Sequence, residues 1–198
     1  MTSLVLASAS PARLATLRAA GVEPSVLVSG VDESQVTGLP PAGLAQRLAE
    51  LKCAAVAAGI GAGPLVLGCD SVLELRGEAL GKPADPDEAV RRWRTMRGRT
   101  GTLHTGHCLR DTVTGQEATG TGSTVVHFAE VTDDEIAAYV DSGEPLEVAG
   151  AFTIDGLGGA FVTRIEGDHH NVVGLSLPLL RDLVAELGHV WTDLWDRR

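Results

Sequence analysis

Lysine is nearly missing from this chain. Of its 16 cationic side chains only two are lysines, Lys52 and Lys82, and the other 14 are arginines. Asn171 and Tyr139 are each the sole residue of their kind, and aromatic residues make up only 4%. Cysteine is scarce too. Cys53, Cys69 and Cys108 are odd in number and have no CxxC spacing. That excludes a disulfide framework and a four-cysteine zinc site, and it fits a reducing cytoplasm. No apolar run approaches the roughly 18 residues of a membrane span. The opening MTSLVLASASPAR has no basic residue ahead of its apolar run, as a signal peptide requires. Internal repeats and low-complexity linkers are also absent, so the 198 residues point to a single domain over 1–198.

What is present is ordinary for a globular protein: 44% hydrophobic and 21% charged residues. The net charge of −10 argues against coating a nucleic-acid polymer or an anionic membrane. A small anion in a locally positive cleft remains compatible with it.

Periodicity and end signals predict a mixed α/β pattern. Ser3 to Ala7 reads as a strand, followed by a helix with Ser10 as N-cap, Pro11 at its first position and Gly21 beyond its end. Val26 to Ser29 reads as a second strand and Pro41 to Ala58 as a long helix. Leu65 to Cys69 reads as a buried strand that Asp70 ends, and Ser71 to Leu80 as a hairpin about Arg76-Gly77. Asp85 and Thr132 start two helices with Glu three residues on, and Gly98 stops the first of them. Long strands fill Thr100 to Glu130, with a turn near Thr114-Gly115. Ala160 to Ile165 is a strand and Leu177 to Leu187 a final helix. Trp191, Trp195, Arg197 and Arg198 form a tail. The expected fold is a mixed β-sheet with helices on its faces.

Ser8-Ala9-Ser10-Pro11-Ala12-Arg13 places small hydroxyl residues and an arginine at a helix start. Free N–H groups and the helix dipole there suit a phosphate oxygen, and Arg13 can add a charge-assisted contact. The same residues also fit an ordinary capped helix. Asp70, placed just past LVLGC, suits Mg²⁺ ligation or proton transfer from water, and equally a simple turn. Glu33, in Asp32-Glu33-Ser34, follows a strand in the same manner, and two such acids can share a metal. Gly77 to Pro83 has three residues between its glycines where a phosphate-binding P-loop needs four, and Pro83 replaces its Ser/Thr. Gly59 to Gly63 fails the dinucleotide fingerprint at Pro64. His104 and His107, an odd distance apart on a strand, point to opposite faces and make a poor metal pair. His169 and His170 read as exposed loop residues.

The lysine shortage carries information. The bias toward Ala, Gly and Arg pushes lysine toward arginine wherever charge alone suffices. A compact ammonium is not interchangeable with a guanidinium at a tight phosphate site. Lys52 and Lys82 are therefore candidates for positions that need lysine.

These segments resemble the Maf-like nucleotide pyrophosphatases. The likeness runs from Leu6–Arg13 through Val31–Ser34, Leu51–Ala54, Gly68–Val72 and Leu80–Pro83. It continues through Arg97–Thr100, His104–Gly106, Ala149–Phe152, Gly156–Gly159 and Asn171–Leu175, about residues 3 to 188 in all. The resemblance implies a two-lobed α/β fold of the Maf/ITPase-like kind with a central cleft, and a cytoplasmic homodimer. It implies hydrolysis of nucleoside triphosphates between the α and β phosphates, with a divalent cation, Mg²⁺ or Mn²⁺. It assigns substrate binding to Ser8, Ser10 and Arg13, and catalysis to Glu33, Lys52, Asp70 and Lys82, with Asp70 and Glu33 on the metal. Two positions depart from the family pattern. Ala12 stands where an arginine is usual, so one phosphate contact is missing or is supplied by another residue such as Arg18 or Arg99. Asp155 stands where relatives that favour pyrimidines carry Gln. An ionised Asp only accepts, so residue 155, if it reads the base, needs a donor edge. Pyrimidine or modified nucleotides are the expected substrates. The competing readings are a non-catalytic nucleotide-binding regulator of division-septum formation and a hydrolase of nucleotide-sugars or diphosphates.

Overall fold

The computed structural model describes residues 2–196. Arg197 and Arg198 of the tail lie outside the described residues. Strand β1 (Leu4–Leu6) leads into helix α1 (Pro11–Ala19), then β2 (Ser25–Val26) and helix α2 (Pro41–Ala57). Next come β3 (Leu65–Leu75), β4 (Glu78–Leu80), α3 (Pro86–Met96), β5 (Thr100–Asp111) and β6 (Glu117–Phe128). Helix α4 (Asp133–Asp141), β7 (Val162–Glu166), α5 (His169–Val173) and α6 (Leu177–Glu186) complete the order.

The end signals act locally as expected. Ser10 Oγ accepts from Arg13 N, Asp85 from Glu88 N, and Thr132 with Glu135 forms a full capping box. Arg76 and Gly77 both take positive φ, 55° and 82°, which closes the β3–β4 hairpin.

The seven strands make one mixed sheet in the order β2-β1-β3-β5-β6-β7, with β4 also on β3. Strands β1, β2 and β3 are parallel, and the other pairings are antiparallel. Alternation along β1 feeds both faces: Leu4 and Leu6 join the core under α1 and α6, while Val5 joins Cys53, Val56, Val66 and Cys108 under α2. Helix α2 lies with its backbone against the sheet. A Cβ on Gly68 would strike the Ala49 carbonyl, and one on Gly106 the Ala45 carbonyl. A separate core at the far end of the long strands centres on Trp93, which meets Phe128, Tyr139 and Phe161 edge-on at 5.8, 5.5 and 5.6 Å. The sheet thus runs through two hydrophobic bodies, the two lobes.

Three expectations need correction. Asp70 does not end a strand; β3 continues to Leu75, because β5 pairs along it through Asp70↔Gly106 and Ser71↔Thr105. Strand β2 covers only Ser25–Val26, since Val28 is left exposed with nothing to pair against. His169 and His170 are exposed but begin α5, because Asp168 caps that turn through His170 N.

What the longer β3 creates is a gap. One edge is paired to β5 along almost its whole length. The other edge is paired to β1 only at Leu65–Leu67 and to β4 only at Leu73–Leu75. Asp70 stands in the middle of the unpaired stretch, where the two lobes part. The close seating of α2 that frames this gap has a direct check. Gly106→Ala should lower the Tm by roughly 5 °C or more, because overpacking outweighs the stiffer unfolded chain. An unchanged Tm in thermal denaturation would contradict that seating.

Candidate active site

Lys52 is held by its neighbour. Cys53, on the buried face of α2, is fully buried and donates its Sγ–H to Val66 O at 3.3 Å, which fixes this turn of the helix on β3. The Lys52 ammonium then reaches Asp70 Oδ1 at 2.5 Å and Glu33 Oε1 at 2.6 Å. Glu33 opens a short helical turn, Glu33–Gln35, shaped by Asp32, which accepts from the Ser34 backbone and hydroxyl and from Gln35. That leaves the Glu33 carboxylate to project toward the gap. Two acids 37 positions apart meet at one cation (70 − 33). Burial pushes the Asp70 carboxyl above its usual range, and the Lys52 and Arg13 cations only partly offset this.

Arg13 is built in rather than left free. Its Nε donates to Gly174 O at 2.7 Å, Nη1 to Ser8 Oγ at 3.0 Å and Nη2 to Ser71 Oγ at 3.1 Å. Thr105 Oγ1 donates to Asn171 O at 3.0 Å, so it must accept from Ser71 across their 2.9 Å contact. Ser71 is thereby satisfied. Ser8 accepts twice, from Arg13 and from Ser10 N at 3.2 Å, and its own proton remains to be donated. Ser10 spends its oxygen on the helix cap.

Lys82 and Asp155 stand apart from this cluster. Lys82 Nζ lies 3.7 Å from Glu147 Oε2, with both side chains largely exposed. Its turn is fixed by Arg92, which donates to Gly81 O at 2.5 Å, and by Gly150 N on the same carbonyl at 3.0 Å. Asp155 is exposed on the loop before the Leu157–Phe161 turn. Arg18 is spent on a bidentate pair with Glu23, and no contact of Arg99's side chain joins it to the cluster among the described residues.

A hard divalent cation needs one or two carboxylates and takes its other oxygens from water and substrate phosphates. Asp70 and Glu33 meet that requirement: they converge on one positive charge, and Asp70 Oδ2 and Glu33 Oε2 have no hydrogen bond among the described residues. No group of three or more metal-binding side chains occurs among the described residues, so the phosphates would have to complete such a site.

The Maf-like protein family model matches residues 3–187. The chain belongs to the Maf-like family. Among its relatives, the nucleoside triphosphate pyrophosphatase of Streptomyces coelicolor is 64% identical over 193 residues, covering 97% of this chain and 94% of the relative. Those of Streptomyces avermitilis and Microcystis aeruginosa are 60% and 51% identical, covering 98% and 97% of this chain and 95% and 98% of theirs.

In this Maf-like chain the sequence motifs missed the residues that hold Arg13. Ser71, Thr105 and Gly174 lie in segments that resemble the family, but no role was read for them, because their partners lie far along the chain. Glu144, which accepts four hydrogen bonds, was missed as well. The histidines on β5 face opposite ways, as their spacing predicts: His104 bridges Glu74 and Ser123, while His107 is buried behind the Arg13 network. His107 donates Nδ1–H to Thr105 O at 2.9 Å and accepts from Ser176 N at 2.9 Å. Burial, aided by the charge of Arg13, pushes it down to about 4.

The folded state therefore disfavours the imidazolium. Stability from this group is complete above about pH 6.5 and is lost as pH falls toward 4, because the unfolded chain then binds more protons. The loss is roughly 3 kcal/mol. Urea titrations at pH 7 and 4.5 should show a smaller pH effect in His107→Gln than in the parent. Equal pH effects would refute the assignment.

Proposed function

We propose that this protein hydrolyses nucleoside 5′-triphosphates between the α and β phosphates, releasing a monophosphate and pyrophosphate. The observation behind this reading is the meeting of Asp70, Glu33 and Lys52 in the sheet gap of a Maf-like chain. Relatives named for this activity support it along nearly the full length.

Asp70 accepts a proton from a water positioned at the α-phosphorus. Its buried carboxyl, with a raised proton affinity, is a better base than a solvated one. The water oxygen bonds to phosphorus, the α–β anhydride bond breaks, and its electron pair leaves with pyrophosphate. Lys52 holds Asp70 in place and offsets charge on the phosphate oxygens. Ser8 donates its free proton to a phosphate oxygen, Arg13 adds positive potential from beneath, and Lys82 meets the triphosphate from the other lobe. Asp70 and Glu33 would hold a divalent cation, Mg²⁺ or Mn²⁺, which when bound would further neutralise the phosphates.

Asp155 reads the base as an acceptor. Its partners are the N3–H of uracil or thymine, the amine of cytosine, the guanine edge, or the corresponding edge of a modified base. An acidic base-reading end and a cationic phosphate end orient the substrate by charge. The enzyme works in the cytoplasm as a homodimer. A non-catalytic nucleotide binder would gain nothing from a buried carboxylate beside the phosphates.

Asp70→Asn is nearly isosteric and keeps a partner for Lys52. It should reduce pyrophosphate release by about 10²-fold or more with an unchanged circular dichroism spectrum. Turnover near the parental rate would eliminate Asp70 as the base.

A further inference from the structure

The loop that carries Asp155 is wrapped around one carboxylate. Glu144 Oε1 accepts from Tyr139 Oη at 3.0 Å, Thr153 Oγ1 at 2.5 Å and Gly158 N at 3.0 Å. Glu144 Oε2 accepts from Leu157 N at 2.9 Å. Thr153 N also donates to Tyr139 Oη at 3.2 Å. Thr153 precedes Asp155 and Leu157 and Gly158 follow it, so a single side chain ties the two stems of the loop together.

The backbone is shaped to this carboxylate. A Cβ on Gly156 would lie 2.5 Å from Glu144 Oε2, and one on Gly158 would strike the Tyr139 hydroxyl. The residue before the loop is anchored too. Ala151 adopts φ 58°, a costly value for a residue with a Cβ, and its carbonyl accepts from the buried Trp93 indole at 2.7 Å. Burial pushes the Glu144 carboxyl up, but its donors outweigh this and hold it below the usual carboxylate range. It is a fixed anion, satisfied on both oxygens.

Nothing in this arrangement serves the phosphates. Glu144 touches none of Arg13, Lys52 or Asp70 among the described residues. From this geometry we infer that Glu144 is a positioning residue for base selection: it fixes the position of Asp155 by clamping the Thr153–Gly158 loop. This inference rests on the reading of Asp155 given above. An exposed side chain on an unclamped loop would sample many positions and discriminate weakly between bases.

The test compares wild type, Glu144→Gln and Thr153→Val in steady-state pyrophosphate release over the common nucleoside triphosphates. Glu144→Gln turns one acceptor into a donor that opposes a backbone N–H. The clamp account expects KM for the best substrate to rise about tenfold, kcat to stay within about threefold, and the preference among bases to shrink toward unity. Thr153→Val removes one donor only and should move the same quantities the same way, by a few-fold; it decides the matter if Glu144→Gln does not fold. Folded variants that keep the wild-type base preference overturn the inference, as does a uniform fall in kcat at constant KM. A wild type that releases pyrophosphate without any base preference overturns the inference while the proposed activity stands. A wild type that releases no pyrophosphate from any triphosphate overturns the proposed activity, and the inference with it.

Discussion

Everything in the cleft is arranged around the ammonium of Lys52. Removing the Asp70 carboxylate from bulk water is costly, and a partly buried ion pair offers little net stability in return. The arrangement makes sense as function. Lys52 brings Glu33, from a loop, and Asp70, from mid-strand, to one point, and keeps both charged groups where phosphates can displace or join them. The helix that carries Lys52 is set by backbone contact at Gly68 and Gly106, so the ammonium has little freedom to drift.

The cleft follows from an incomplete sheet. Strand β3 outruns β1 on one edge before β4 takes over, and Asp70 stands in that unpaired stretch. Separate cores on either side give each wall its own rigidity. The proximal wall is locked by Arg13, whose donors reach Ser8, Ser71 and Gly174. The distal wall is locked by Trp93, Tyr139 and Glu144, which hold the loop of residues 150–158.

Local chemistry was legible in the sequence. The caps at Ser10, Asp85 and Thr132 and the glycines past helix ends act through neighbours a few residues away, so their signals are self-contained. The composition argument singled out Lys52, which the structure sets between two carboxylates. Lys82, found by the same argument, stands exposed against Glu147, at a distance from that cluster. Asp70 was singled out for the wrong reason. Asp70 reads as standing at the end of a strand, yet pairing with β5 carries the strand through it, and a strand's polar interruption is decided by its partner. The network behind Arg13 was not legible, because its acceptors lie 58 and 161 residues away at Ser71 and Gly174. The role of Glu144 depends on a loop closing back upon it, which no spacing rule encodes.

The central claim is that water attacks the α-phosphorus and the α–β anhydride bond breaks. Hydrolysis in oxygen-18-labelled water tests it directly, because the labelled atom stays on the phosphorus that was attacked. Mass spectrometry should find one labelled oxygen in the nucleoside monophosphate and none in pyrophosphate. Label in pyrophosphate, or release of a nucleoside diphosphate with labelled orthophosphate, would contradict the account.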